Sequence, residues 1–218
     1  MALRAVSTLL ARRDAKTDRC PIGTASRHHA VGTTLRRVNI ACPTCLLRPL
    51  VAADAPALAR HANDRMVWQN LRDRFPHPYS EADAREYIAH ASARPVQSSF
   101  GIVVDGEAIG NISLMLGDDI AKRSAEVGYW IGRAFWGRGI AVEALQATTH
   151  YAFAELELAR VFAVPFATTT RSARVLEKAG YVREGVMRRS AVKEGVLLDQ
   201  LLYAAYDDQP PFNGPRPW

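Results

Sequence analysis

Residues 129–145, YWIGRAFWGRGIAVEAL, constrain the chain more than any other stretch. Val127, Tyr129, Trp130 and Ile131 are β-branched or aromatic and read as a strand, residues 132–139 carry the glycines of a turn, and Ile140 onward has the spacing of a helix. A strand that passes through Gly137 and Gly139 straight into a helix leaves backbone N–H groups bare at the positive end of the helix dipole. Such a junction suits phosphate oxygens. A Gly-x-Gly also makes a plain tight turn, so the surrounding pattern has to decide. A dinucleotide fingerprint would need a third glycine where Val142 stands, and a nucleoside-triphosphate loop would need a Gly-Lys-Ser/Thr ending that is absent.

Around this junction the chain reads as alternating strands and helices. Residues 45–50 form a short strand ending near Pro49, and Asp54 opens a helix through Leu58 and His61. A second helical stretch covers 64–71, and Ser80 with Asp83 three residues on caps a third that runs to about Ala91. The clearest local signal is a hairpin, strands at 99–104 and 107–113 joined by Asp105-Gly106. After the junction helix, 160–166 is a strand, 169–178 a helix stopped by Gly180, and 181–187 and 197–206 close the sheet. No internal repeat is visible.

The formal charge of +6 suggests nucleic acid until it is located. Residues 1–42 carry eight Arg and Lys against two Asp, which accounts for the whole excess. This basic stretch lacks sustained periodicity and reads as a disordered or weakly helical extension, with a transit peptide or an upstream start as alternatives. Residues 43–206 form the folded body, and 207–218 are a proline-rich tail. No nucleic-acid partner is expected except through the charge of the extension. No apolar run approaches the ~20 residues a bilayer needs, so a soluble, cytoplasmic protein is expected. Cys42 and Cys45 have ligand spacing, but a closed zinc site needs four donors, and free reduced thiols are the simpler reading. No metal is expected.

Three stretches together resemble the GNAT N-acetyltransferase superfamily. Residues 136–141, WGRGIA, are similar to its acetyl-CoA pyrophosphate loop, Gln/Arg-x-x-Gly-x-Gly/Ala, in the Trp-Gly-x-Gly-x-Ala form common in the ribosomal-protein N-terminal acetyltransferase branch. Residues 125–131, AEVGYWI, and 172–181, SARVLEKAGY, resemble the strand before that loop and the Asn-x-x-Ser…Glu-Lys-x-Gly-Phe block after it. The resemblance covers about residues 44–206. It implies an α/β (α+β) GNAT fold: a central mixed, mostly antiparallel sheet of six to seven strands, helices on both faces, splayed between the fourth and fifth strands.

It also implies a reaction and its residues. Acetyl-CoA would be the co-substrate, and a primary amine, a protein N-terminus or a small amine, the acceptor. Tyr129 and Ile131 would bond the pantetheine arm through their backbones, and Trp136, Gly137, Arg138, Gly139, Ile140 and Ala141 would hold the pyrophosphate. Thr169 and Ser172 would add cofactor contacts, with Thr169 standing where Asn is usual. Trp68, Phe75, His77 and Tyr79 would lie on the acceptor side. Glu126, on the strand that meets the loop, is the candidate general base, with a carboxylate merely paired to an arginine as the plainer reading. Leu176 occupies the position where many relatives place a tyrosine acid, so the leaving thiolate needs another proton source. A CoA-binding or RNA-associated adaptor without catalysis is the non-enzymatic alternative, and the protein would be a monomer or a homodimer.

Overall fold

The computed structural model describes residues 37–207; nearly all of the basic extension and of the proline-rich tail lies outside the described residues. In chain order the elements are β1 (Ile40–Ala41), β2 (Leu46–Arg48), α1 (Ala55–Ala62), α2 (Arg65–Trp68), α3 (Glu81–Ser92), β3 (Ser99–Val104), β4 (Glu107–Leu116), β5 (Ser124–Ile131), α4 (Ile140–Ala154), β6 (Arg160–Ala163), α5 (Thr170–Lys178), β7 (Val182–Lys193) and β8 (Val196–Tyr206). The strands make one sheet in the order β1-β2-β3-β4-β5-β6-β8-β7. Among the described residues only β5 and β6 run parallel.

The sheet has eight strands, not six or seven, because Ile40 and Ala41 pair with Leu47 and Leu46. Just before them, the Gln97 side chain accepts from the Val38 N–H at 2.7 Å and donates to the Val38 carbonyl at 2.8 Å. The last hairpin is also longer than its residue pattern suggests. Glu194 and Gly195, with φ of 48° and 78°, form a two-residue turn that carries β7 on to Lys193 before the chain returns. Most of the extension of β7 past Met187 is exposed, so no alternation of apolar and polar residues announces that part.

The strongest local signals take their expected forms. Asp105 and Gly106 turn the β3–β4 hairpin with φ of 50° and 83°. Ser80 and Asp83 satisfy each other's backbone N–H groups at the start of α3. At the end of α5 the Tyr181 N–H donates to the Leu176 carbonyl and the Gly180 N–H to the Glu177 carbonyl, with Gly180 at φ 95°.

Each face of the sheet is covered. Leu145, Ala144 and Ile140 of α4 and Leu176 of α5 pack with Phe100, Ile112, Leu114, Val127 and Val161 on one side. On the other, Ala55, Leu58, Ala59 and Ala62 of α1 and Ala84 and Ile88 of α3 pack with Leu50, Val103 and Ala108. Among the described residues no helix is long and apolar enough to cross a membrane.

Asp54 stands at the N-cap of α1, but its buried carboxylate turns back to the Arg48 guanidinium, at 2.7 and 2.8 Å, and to the Val51 N–H at 2.8 Å. Burial alone would push this carboxyl up; the Arg48 and Val51 hydrogen bonds outweigh it and hold it below the ordinary carboxylate range. A depressed folded-state value adds stability above the unfolded pKa that is lost as pH falls through the folded one. Asp54→Asn is therefore expected to lower the unfolding free energy near neutral pH and to flatten its decline in acid, read from urea midpoints across pH.

Candidate active site

The site begins where two parallel strands part. β5 and β6 are in register only at Ser124↔Arg160, Ala125↔Val161 and Glu126↔Phe162. Past Ala163 the chain is drawn toward β8 instead. The Leu201 N–H donates to the Pro165 carbonyl at 2.9 Å, the Gln200 side-chain amide to the Val164 carbonyl at 3.2 Å, and the Ala167 N–H to the Asp199 carbonyl at 2.8 Å. The C-terminal half of β5 is left without a partner on that side.

Its hydrogen-bonding parity then decides which groups are bare. The Gly117 N–H bonds the Ser124 carbonyl, and the Gly132 N–H bonds the Ile109 carbonyl, so the even-numbered residues of β5 exchange bonds with β4. The peptide groups of Val127, Tyr129 and Ile131 therefore face the gap. The Ile131 carbonyl is taken by the indole N–H of Trp136 at 2.8 Å.

Beyond Ile131 the chain makes a short turn and enters α4 through Gly137 and Gly139, at φ 80° and 84°. An added Cβ at either would meet nothing within 4 Å, so the backbone conformation, not crowding, requires glycine there. The first amide of this stretch with a backbone acceptor among the described residues is that of Val142, which bonds the Gly139 carbonyl. The N–H groups of residues 137–141 thus converge, unspent, at the N-terminus of a 15-residue helix. Cations flank them: Arg171 lies over the Trp136 ring at 5.1 Å and Arg138 over the Phe135 ring at 5.1 Å. Such a set of donors suits phosphate oxygens.

Cradle and gap open into one groove of about 1430 Å³. On its floor Glu126, Gly128 and Trp130 share a strand face with Met115 and Ser113 of β4. Residues 69–79 cross above. Asn70 accepts from the Thr169 hydroxyl at 2.8 Å, Arg72 donates to Glu126, Arg74 reaches the Met115 sulfur at 3.0 Å, and Phe75 meets Trp130 edge to face at 5.7 Å. This arch is fastened from outside by Lys193, whose Nζ lies 2.8 Å from Asp73 and 3.7 Å from the centre of the Trp68 ring.

Of the sequence-predicted residues, Glu126, Tyr129, Ile131, Trp136, Gly137, Gly139, Ile140, Ala141, Thr169, Ser172, Phe75 and Tyr79 all line the groove. Trp68 and His77 do not. They stack on each other at 5.3 Å, and the Trp68 indole donates to the Phe75 carbonyl, so they brace the arch. Arg138 sits beside the groove. The Thr169 hydroxyl donates to Asn70, and Leu176 is fully buried in the core. Across the gap the Tyr129 hydroxyl and Ser172 Oγ are 3.0 Å apart, and burial pushes the Tyr129 phenol up to about 12, so it stays protonated. Asn70, Arg72, Arg74 and Lys193 escaped the residue pattern. An Arg-Asp-Arg run in a loop looks like a solvated stretch, and its partners are far away in sequence.

Residues 45–182 match the pattern of the acetyltransferase (GNAT) domain family. The chain belongs to the GNAT acetyltransferases. It is 38% identical over 168 residues to the probable N-acetyltransferase YjcK of Bacillus subtilis (strain 168), covering 74% of this chain and 93% of that one. Over 132 residues it is 30% identical to the ribosomal-protein-serine acetyltransferase of Escherichia coli (strain K12), covering 59% and 73%. Among solved structures, RimJ of Mycobacterium smegmatis in complex with CoA-disulfide superposes with a TM-score of 0.69 at 26% identity, covering 81% of this chain and 89% of that one. The splayed sheet and glycine cradle of this chain are thus a GNAT architecture. Because φ at Gly139 is positive and its surroundings are open, Gly139→Ala is expected to cost about 1–2 kcal/mol in backbone strain alone. Thermal unfolding would show it as a lowered midpoint with native far-UV dichroism.

Proposed function

We propose that this GNAT protein transfers an acetyl group from acetyl-CoA to the N-terminal α-amine of a protein, a ribosomal protein being the leading candidate, in the cytoplasm. The observation that carries the reading is the unpaired edge of β5, whose Tyr129 and Ile131 peptide groups face the same gap that the free amides of residues 137–141 border. Acetyl-CoA supplies a thioester whose carbonyl carbon a free amine attacks. Main-chain donors on the strand edge would take the pantetheine amides, and the Ile131 N–H would meet the developing oxyanion. One such fixed donor is worth about 3–4 kcal/mol. Holding amine and thioester together lowers the barrier further.

The new C–N bond forms as the C–S bond breaks, and two protons must be managed. The amine's proton would go to Glu126, which lines the groove with its Oε1 held by Arg72, directly or through a water. An α-amine, with a pKa near ~7.8 against ~10.4 for lysine, is about 3.5 kcal/mol easier to deprotonate at neutral pH, which favours a protein terminus as acceptor. With no tyrosine at Leu176, the leaving thiolate would take its proton from water, and Ser172 Oγ, paired with the neutral Tyr129 phenol, would hydrogen-bond the sulfur as it departs. The 30% identity to the Escherichia coli ribosomal-protein-serine acetyltransferase supports the choice of acceptor.

Labelled acetyl-CoA offered with peptide termini, lysine side chains and small amines tests the reading. Transfer to peptide α-amines is expected; transfer to small amines alone would reassign the acceptor. CoA binding without transfer to any amine would leave only an adaptor. Glu126→Gln is expected to lower kcat by about 100- to 10,000-fold with CoA affinity retained, measured by steady-state kinetics and calorimetry. In Ser172→Ala the loss should be smaller and fall on kcat.

A further inference from the structure

The glycines of this chain fall into sorts that differ in what demands them. Gly137 and Gly139 need positive φ, whereas at Gly110 a Cβ would come within 2.2 Å of the Trp130 carbonyl and at Gly132 within 2.7 Å of His61. Gly128 has neither excuse. Its φ is ordinary, and a Cβ there would touch only the terminal methyl of Met115, at 3.7 Å. Glycine in the interior of a strand weakens it, and one required by neither backbone nor packing marks a place where something else comes close.

The setting of Gly128 says what comes close. It lies on the groove floor between Glu126 and Trp130, which are about 13 Å apart along the strand. The arch of residues 69–79 comes down on both of those neighbours, through Arg72 onto Glu126 and through Phe75 onto Trp130. Between the two contacts the floor is met only by the terminal methyl of Met115, on whose sulfur Arg74 rests, and it adjoins the strand edge where Tyr129 turns its peptide group to the gap. The resulting port has one wall of carboxylate, one of aromatic ring, and no side chain at Gly128 itself.

We propose that Gly128 is the specificity-determining floor of the acceptor port, through which an amine on the end of an extended chain, a peptide terminus, passes under the arch to the thioester. This rests on the acetyl-transfer reading given above. The amine arrives beside the Glu126 carboxylate, and the chain behind it runs over Gly128, where any side chain would occupy its path. The side-chain direction of residue 128 points to the acceptor face, whereas the cofactor edge is built from the peptide groups of the odd-numbered residues.

Gly128→Val and Gly128→Ala, compared with wild type on peptides beginning with Ala, Ser and Leu, test the inference. Valine favours strands, and the nearest neighbour of an added Cβ is the flexible Met115 methyl at 3.7 Å, an ordinary contact, so neither variant should lose thermal stability. The expected result is a fall in kcat/KM of about 100-fold for Gly128→Val, a smaller fall for Gly128→Ala carried by KM, and unchanged CoA affinity by calorimetry. Equal peptide kinetics in variant and wild type would overturn the port, and loss of CoA affinity in Gly128→Ala would overturn it by giving the space to the cofactor. If wild type binds CoA and acetylates only small amines, the peptide acceptor falls while the same variants, assayed on those amines, still judge the floor. Wild type that binds no CoA would instead sink the acetyl-transfer reading, and the inference with it.

Discussion

The departure of β6 from β5 is the constraint on which the rest of the site depends. Two parallel strands held for three residue pairs would ordinarily go on pairing, because an edge of bare peptide groups inside a fold costs free energy. Here the competing partner is β8, which captures the carbonyls of Val164 and Pro165. The unpaired edge of β5 is the direct result. α4 begins at the end of that same strand, so the bare edge and the bare helix N-terminus lie side by side by chain connectivity.

The two faces of β5 serve different ends. Ala125, Val127 and Ile131 are buried against the α4 and α5 side and hold the strand in the core. Glu126, Gly128 and Trp130 look to the other side, where α1, α3 and residues 69–79 leave an opening. Strand alternation thus separates a rigid wall from a reactive surface within a single element. The Tyr129 phenol, directed to the α5 side, keeps its proton because burial disfavours the phenolate.

What could be read in the sequence was what local chemistry specifies. Asp105-Gly106, Ser80 with Asp83, Gly180 after α5, and the cradle glycines each dictate backbone conformation within a few residues, and each stands where its type demands. What could not be read was long-range. Ile40 and Ala41 become a strand only because β2 is beside them, and the extension of β7 past Met187 carries no alternation to mark it. The contacts of Arg72 with Glu126, Asn70 with Thr169 and Lys193 with Asp73 span tens of residues and use side chains common on any surface. Trp68 and His77 were reasonable candidates for an acceptor wall, yet an aromatic pair satisfies itself by stacking when it is near enough, and these two do.

Lys193 has a broader consequence. Its ammonium is almost wholly enclosed, between the Asp73 carboxylate and the Trp68 ring, at the tip of a hairpin whose other residues are largely in solvent. Freeing that charge would cost it both its counter-ion and its aromatic partner, so the far end of the sheet is tied to the crossing segment. The longest excursion of the chain is thereby a strut: it sets the headroom above β5 from a distance, without touching the groove it governs.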